Sequence, residues 1–145
     1  MRQDITKTSG ILLAAIFVVL SLFHIYWATG GTFGKTVTIP TVRGNRSFDP
    51  SPLATILIAV ALLIAMFIVI GQLGMLGEVI PKWIFRWGSW SICIIFLLRA
   101  VGEFRLVGFF KQVGDTEFAY WDTRLFSPLC LVIAIMAFIV ANKEA

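Results

Sequence analysis

The fold is decided by one stretch of the chain, which reads ICIIFLLRAVGEFR from Ile92 to Arg105. It closes an apolar run that starts near Ile84, and it carries two ionisable side chains, Arg99 and Glu103. Residues four apart lie on one face of a helix, so the spacing predicts that these two side chains sit one above the other. Charges at the edge of a hydrocarbon span are costly and usually turn inward, which makes this face the first candidate for a functional site.

The composition indicates a membrane protein. Hydrophobic residues make up 59% of the 145 residues and charged residues 14%, whereas a soluble domain is typically about 45–50% apolar and about 25% charged. Each helix that crosses a hydrocarbon core needs roughly 20 apolar residues, and four segments qualify: 10–28, 53–75, 84–102 and 127–141. The sequence therefore predicts an all-α, integral membrane four-helix bundle. It forms a single domain over residues 1–145, with two long polar loops on one side.

The first apolar segment follows a basic tail, as a secretory signal would. It is longer than the h-region of about 7–15 residues that such signals contain, and aromatic residues follow it instead of a small-residue cleavage site. We therefore expect this segment to remain in the protein as a spanning helix.

The distribution of positive charge bears on the orientation in the membrane. The termini and the short turn carry five Lys and Arg residues (Arg2, Lys7, Lys82, Arg86, Lys143). The long-loop side carries seven (Lys35, Arg43, Arg46, Arg99, Arg105, Lys111, Arg124). The raw count favours cytoplasmic long loops. However, one of the seven is expected inside the bundle, and positive charge is denser per residue on the other side, so we expect cytoplasmic termini.

Turn and capping signals divide the two polar loops. Residues 36–40 alternate Thr with Val and Ile, which predicts a short extended segment, and 43–45 read as a turn. Ser51 and Ser127 each precede a proline and are predicted to cap the helices that follow. A loop as long as 29–52 is expected to fold over the end of the bundle as a lid.

Three glycines, Gly71, Gly74 and Gly77, recur at the end of the second apolar segment. Two interpretations are open: they allow a neighbouring helix to pack closely, or they loosen the helix end.

The candidate functional residues gather at the predicted polar end of the bundle. His24 and Glu103 are candidates for proton exchange with a substrate. A further five residues are candidates for ligand binding: Arg99, Asp122, Trp27, Arg105 and Tyr120. A structural interpretation stands beside the functional one. The charges then form an ion-pair cluster that ties helices together, His24 bonds a loop carbonyl at the interface, and Trp27 belongs to an aromatic belt.

No cofactor or metal is expected. The two cysteines, Cys93 and Cys130, form no C-x-x-C pair and are expected to pack as small buried hydrophobes. Haem ligation by the lone His24 would require a second axial donor or an open position. The net charge of +4 fits contact with anionic lipid headgroups, and no basic, aromatic-rich soluble surface points to nucleic acid.

Several motifs together resemble a known family. They are His24-x-x-Trp27-Ala28, Gly30-Gly31, Pro40, Phe48-x-Pro50, Arg99-x-x-Gly102-Glu103-Phe104, Gly108 and Phe126-Ser-Pro-Leu-Cys130. This series is similar to a family of small four-helix bacterial membrane proteins, catalogued as a domain of unknown function. The acidic position after Gly102 is often aspartate in that pattern, whereas here it is Glu103. The resemblance implies the fold and a bacterial cytoplasmic membrane, and it brings no known activity.

Three functions follow as hypotheses. The first is binding of a small amphipathic or lipid-like molecule at the polar end, with acid/base chemistry on that molecule left open. The second is a non-enzymatic membrane subunit that docks a partner or another copy of the chain through its glycines. The third is a small transporter that works as an oligomer.

Overall fold

The computed structural model describes residues 1–77 and 79–143, and it confirms a bundle of four long helices. In chain order the elements are α1 (Arg2–Ala28), α2 (Lys35–Thr38), β1 (Thr41–Val42), β2 (Asn45–Arg46), α3 (Pro52–Gln72), α4 (Lys82–Val101), α5 (Glu117–Trp121), a π-helical turn (Asp122–Phe126) and α6 (Ser127–Ala141). The fourth long helix is thus a composite of α5, the π-helical turn and α6. Each of the four long helices is apolar enough to span a membrane.

The four long helices pack in a ring. α1 packs most extensively against α3 and α4 against α6, and further contacts join α3 to α4 and α1 to α6. Small residues let the backbones approach. The Ser21 hydroxyl of α1 donates a hydrogen bond to the carbonyl of Ala59 on α3 at 2.9 Å. A Cβ atom added at Gly71 would collide with the ring of Phe85 on α4. Such small-residue contacts and interhelical hydrogen bonds are typical of helices that associate within a membrane.

The outward faces of the bundle are apolar. Large aliphatic side chains on all four long helices are about half exposed, among them Leu12 (53%), Leu57 (60%), Ile95 (60%) and Ile135 (52%). Soluble monomers rarely expose contiguous apolar surface on this scale. The outer surface therefore suits contact with lipid.

Three helix boundaries differ from the prediction. The fourth long helix begins at Glu117 rather than residue 127, because the π-helical turn joins α5 to α6 without a break. α1 begins at Arg2 rather than near Gly10, because no helix-breaking residue intervenes and the Thr6 hydroxyl donates to the Arg2 carbonyl at 3.1 Å within the first turns. α3 ends at Gln72 rather than Met75 because Gly74 adopts a φ of 82°.

The end of α3 settles the two interpretations of the glycines. The N–H groups of Gly74 and Met75 donate to the carbonyls of Gly71 and Ile70 at 2.9 and 3.2 Å, which is the Schellman arrangement. Lys143 adds hydrogen bonds to the last carbonyls of the helix. Gly71 therefore serves close packing, and Gly74 ends the helix, while Gly77 lies beyond it and packs closely against nothing among the described residues.

One predicted helix cap is confirmed and the other is wrong. The N–H of Ala54 donates to the Ser51 hydroxyl at 3.1 Å, with Pro52 in the first helical position. Ser127 is fully buried and makes no capping bond, because the helix runs into it continuously through the π-helical turn. The cap lies earlier, where the N–H of Ala119 donates to the Thr116 hydroxyl at 3.1 Å.

The first long loop has its own structure. Residues 35–38 form the short helix α2 instead of the predicted extended segment, while the turn at Arg43 and Gly44 is confirmed as the tip of the β1–β2 hairpin. Both turn residues have positive φ (52° and 80°), as the tight turns of two-residue hairpins require. α2 contacts α5, so the two long connections meet at one end of the bundle.

Candidate functional site

A buried ion cluster closes this end of the bundle, and we call it the clamp (Arg99, Gly108, Lys111 and Asp122). Asp122 is fully buried. One of its carboxylate oxygens accepts a hydrogen bond from Nη2 of Arg99 at 2.9 Å. The other accepts from Nζ of Lys111 at 3.1 Å and from the N–H of Gly108 at 2.8 Å. Three donors, one from α4 and two from the following loop, therefore converge on one carboxylate.

Local backbone geometry builds the clamp. α4 ends where Gly102 adopts a φ of 85°, and the chain returns to cross itself at Gly108, with a φ of 90°. A Cβ atom at either glycine would collide with a backbone carbonyl oxygen of the opposite strand of this crossing, that of Val107 or Val101. Only glycine allows two backbones this close at positive φ. The crossing directs the Gly108 N–H toward Asp122, which the π-helical turn presents from the other side.

The clamp has the chemistry of an internal brace. Lys111 is 5% exposed at its side chain, and its ammonium also donates to the Gly108 carbonyl at 3.0 Å and to the Thr123 hydroxyl at 2.6 Å. Both Asp122 oxygens are occupied by donors of the chain itself. Nη1 of Arg99 is buried without a hydrogen-bond partner among the described residues. Breaking such a buried network by removing one charge is strongly destabilising.

The predicted face of Arg99 and Glu103 does not form. α4 ends at Val101 and Gly102 turns the chain away, so the four-residue helical spacing no longer applies at Glu103. This carboxylate is exposed, and it accepts a hydrogen bond from the N–H of Leu106. The prediction that Glu103 shares a face with Arg99 is wrong for that reason.

Two other predicted ligand residues are exposed, Arg105 in the second long loop and Tyr120 on α5. Arg105 is exposed, and its carbonyl accepts hydrogen bonds from the N–H groups of Gln112 and Val113. Tyr120 is also exposed, and the guanidinium carbon of Arg124 lies 3.9 Å from the centre of its ring. Both side chains lie outside the clamp.

A cavity of about 480 Å³ lies between the end of α1, α2 and the start of α3. Its lining combines apolar and polar groups: His24, Trp27, Lys35, Thr38, Ile39, Phe48, Asp49, Pro50, Ser51, Pro52, Thr55 and Ile58. Phe48 and Ile58 are 55% and 47% exposed, so these two lining residues also belong to the outer surface. Its size falls within the roughly 300–1,000 Å³ that is usual for small-molecule sites.

Hydrogen bonds fix the two cavity residues that α1 contributes. Nδ1 of His24 lies 2.7 Å from the Leu20 carbonyl, and the ring of Trp27 stands edge-on to the imidazole at 5.3 Å. The indole N–H of Trp27 donates to the Phe33 carbonyl at 2.8 Å, which holds the following loop against α1. His24 therefore bonds a carbonyl of its own helix rather than a loop carbonyl, and the indole presents its ring to the cavity.

The structure divides the predicted site into two. It joins Arg99 to Asp122 in the clamp, and it places His24 and Trp27 in the cavity, whose lining includes neither clamp residue nor Glu103. The sequence interpretation missed Lys35, Asp49 and Lys111, which lie in irregular or short segments where helical spacing gives no signal. The only signal in the sequence that could have found them was their charge, together with their position in the polar loops at the end of the bundle where the site was predicted.

The described residues include no group of three or more His, Cys, Asp or Glu side chains that is arranged to hold a metal ion. Cys93 and Cys130 are buried free thiols.

Both features lie in a segment that matches a known family. Residues 17–137 match the family described as "Protein of unknown function (DUF3995)". The chain belongs to this family. No curated protein and no solved structure gives a significant match. The segment that matches DUF3995 includes every residue of the clamp and of the cavity lining, so both features lie within the family's domain in this chain.

Proposed function

We propose that this DUF3995 protein binds a small amphipathic, lipid-like molecule in the cavity beside His24. The observation that carries the proposal is the cavity itself, about 480 Å³ in volume at the polar end of an apolar bundle. Convergent polar groups in a largely apolar pocket are the usual mark of a small-molecule site.

The lining suits a molecule with a polar end and an apolar end. Polar side chains come from α1, α2 and the segment before α3, namely His24, Lys35 and Asp49. Apolar walls come from the Trp27 ring, the buried Ile39 and the exposed Phe48 and Ile58. The polar groups lie toward the loops and Ile58 lies on the spanning part of α3, so the polarity of the cavity follows that of a membrane interface.

The clamp supports this function indirectly. It anchors the second long loop and α5, and α5 contacts α2, which carries Lys35 and therefore one wall of the cavity. Of the two predicted proton-exchange residues, only His24 has a place beside a bound molecule. Glu103 has no part in the proposed site.

We place the protein in the cytoplasmic membrane of a bacterium with both termini in the cytoplasm. The high density of positive charge at the termini and short turn supports this orientation. The cavity then faces the outer side of the membrane.

Filling the cavity provides the test. Ile58→Trp places an indole in the cavity wall, whereas Leu57→Trp is a matched control because Leu57 is 60% exposed and does not line the cavity. The protein is extracted gently from its native membrane, and its intact mass is measured by native mass spectrometry. We expect a bound mass in the wild type and in Leu57→Trp that is absent from Ile58→Trp. Equal occupancy in the two variants, or a bare wild-type protein, would contradict the proposal.

A further inference from the structure

Within residues 1–77 and 79–143, no side chain neutralises Lys35, a cation in the cavity lining. Lys35 is half-buried on α2, and its ammonium makes no hydrogen bond or ion pair with any of the residues that the structure describes. Lys111, the corresponding lysine of the clamp, has three acceptors. A partly buried cation without a partner favours an anion as its ligand.

The carboxylate that lines the same cavity does not cancel this charge. Asp49 pairs with Arg46, with Nη1 of the guanidinium 3.4 Å from the carboxylate. Both members of the pair are exposed at the hairpin edge of the cavity. Asp49 is therefore engaged by Arg46, and it forms no ion pair with Lys35.

His24 adds an adjustable hydrogen-bonding group. The Leu20 carbonyl only accepts hydrogen bonds, so its partner Nδ1 carries the hydrogen. Nε2 is then the nitrogen left for a ligand. It accepts from an acidic hydroxyl when the ring is neutral and donates to an anionic oxygen when the ring is protonated.

The start of α3 lies on the same side. Ser51, Pro52 and Thr55 line the cavity, so the first turn of this 21-residue helix borders it. The N-terminus of a helix carries a partial positive charge that favours an anion. This partial charge reinforces Lys35 and would not make a site without it.

The path of an apolar chain follows from the lower wall. Ile58 lies six positions after Pro52, which puts it about 9 Å further along the helix axis. It is 47% exposed on the spanning part of α3, so this residue borders both the cavity and the lipid-facing surface of the helix.

We propose that the cavity selects an amphiphile with an anionic head, held by Lys35 and Nε2 of His24 beside the start of α3, with an alkyl chain that leaves along Ile58. This inference rests on the proposed function, because it names the class of molecule that the cavity binds. The ligand is either a free single-chain amphiphile or an anionic lipid of the surrounding bilayer, and the head chemistry is the same for both.

The test compares amphiphiles that share one chain and differ in head charge. The purified protein in a neutral detergent is titrated with dodecyl phosphate, dodecylphosphocholine and dodecyl glycerol, and binding is measured by native mass spectrometry. We expect dodecyl phosphate to bind about tenfold or more tightly than dodecyl glycerol, as one charge-assisted contact would give. Lys35→Gln should remove this preference, Lys35→Arg should keep it, and the exposed Arg105→Gln should leave it unchanged.

Two further arms identify the source of the head. Titration with inorganic phosphate tests whether the head binds without a chain, and nanodiscs containing phosphatidylglycerol test whether bilayer lipid competes with dodecyl phosphate. Competition from the nanodisc lipid assigns the site to a lipid headgroup, and its absence assigns it to a free amphiphile. Binding of inorganic phosphate as tightly as dodecyl phosphate would overturn the assigned path for the alkyl chain.

The failure of this inference is distinct from the failure of the proposed function. Suppose that all three amphiphiles bind with equal affinity, that Ile58→Trp abolishes their binding, and that Lys35→Gln leaves it unchanged. The cavity then binds amphiphiles but does not select anions. If no amphiphile binds, or if Ile58→Trp leaves binding unchanged, the proposed function itself is wrong.

Discussion

The clamp and the cavity lie at the same end of the bundle and use lysine to opposite effect. In the clamp, Lys111 donates to three acceptors of the chain and lies beside a fully buried carboxylate. In the cavity, Lys35 has no partner among the described residues and lines an open volume. A lysine whose ammonium is fully hydrogen-bonded within the chain therefore stabilises the fold, whereas a lysine without such partners is available to a ligand. The sequence position does not distinguish the two lysines, since both lie in polar connections.

The largest expected effect is on the clamp carboxylate. Asp122→Ala leaves Arg99 and Lys111 together in a buried site without the charge between them. We expect a loss of about 3–5 kcal/mol in the free energy of unfolding, as for other broken buried ion pairs. Denaturant titration in detergent micelles measures it, with the exposed Asp115→Ala as control. Equal stability of the two variants would mean that the cluster braces nothing.

The backbone crossing should be nearly as sensitive. Gly108→Ala adds strain at a φ of 90° and a collision with the Val101 carbonyl, so we expect a loss of about 1–3 kcal/mol or more. Gly44→Ala is the matched control, because its φ is 80° but no atom lies within 4 Å of the added Cβ. The difference in stability between the two variants measures the cost of the collision between the two backbone segments. Equal losses of stability would show that only the strain at positive φ matters.

Replacing each lysine by methionine tests the comparison directly. Lys111→Met removes a charge-assisted hydrogen bond from Asp122 and should cost about 1.5–3 kcal/mol of stability. Lys35→Met should change stability by no more than about 0.5 kcal/mol while weakening the binding of an anionic amphiphile. Thermal unfolding and native mass spectrometry on both variants give the two readouts. The reverse pattern would exchange the roles assigned to the two regions.

The smallest effect is expected at Glu103. Because this carboxylate is exposed and lies outside both regions, Glu103→Gln should change stability by less than about 0.5 kcal/mol and leave ligand occupancy unaltered. The same two measurements apply. A loss of bound mass in this variant would restore Glu103 as a functional residue.

The length of the four apolar segments predicted the fold, since each is long enough to span a membrane. Helical spacing failed at Glu103 because Gly102 ends the helix after Val101, before the spacing could apply. The pairing of Arg99 with Asp122 was within reach of the sequence, since buried charges are normally paired and few were present. Lys111 was not, because a loop lysine reaches this carboxylate only through the Gly102–Gly108 crossing.

The sequence placed His24 and Trp27 at the polar end of the bundle, but it expected the pocket beside Arg99 and Glu103, which do not line the cavity. His24 and Trp27 are helical and were found from the sequence, whereas Lys35 and Asp49 come from a connection whose path depends on tertiary contacts. The alternation of Thr with Val and Ile favoured an extended segment at 36–40, yet residues 35–38 are helical. Packing of α2 on α5 overrides this weak local preference.

The π-helical turn at Asp122–Phe126 also sets which side of the fourth long helix its first residues face. A π-helical turn contains one residue more than an α-helical turn. The residues before it are therefore rotated by about 100° around the helix axis relative to their positions in an unbroken α-helix. Asp122 can thereby face Arg99 while Ala134 and Ala137 of α6 face the bundle core. A one-residue deletion in this turn would swing the clamp carboxylate to another side of the helix. An insertion or deletion here would therefore alter the polar end of the bundle more than most substitutions of the side chains in it.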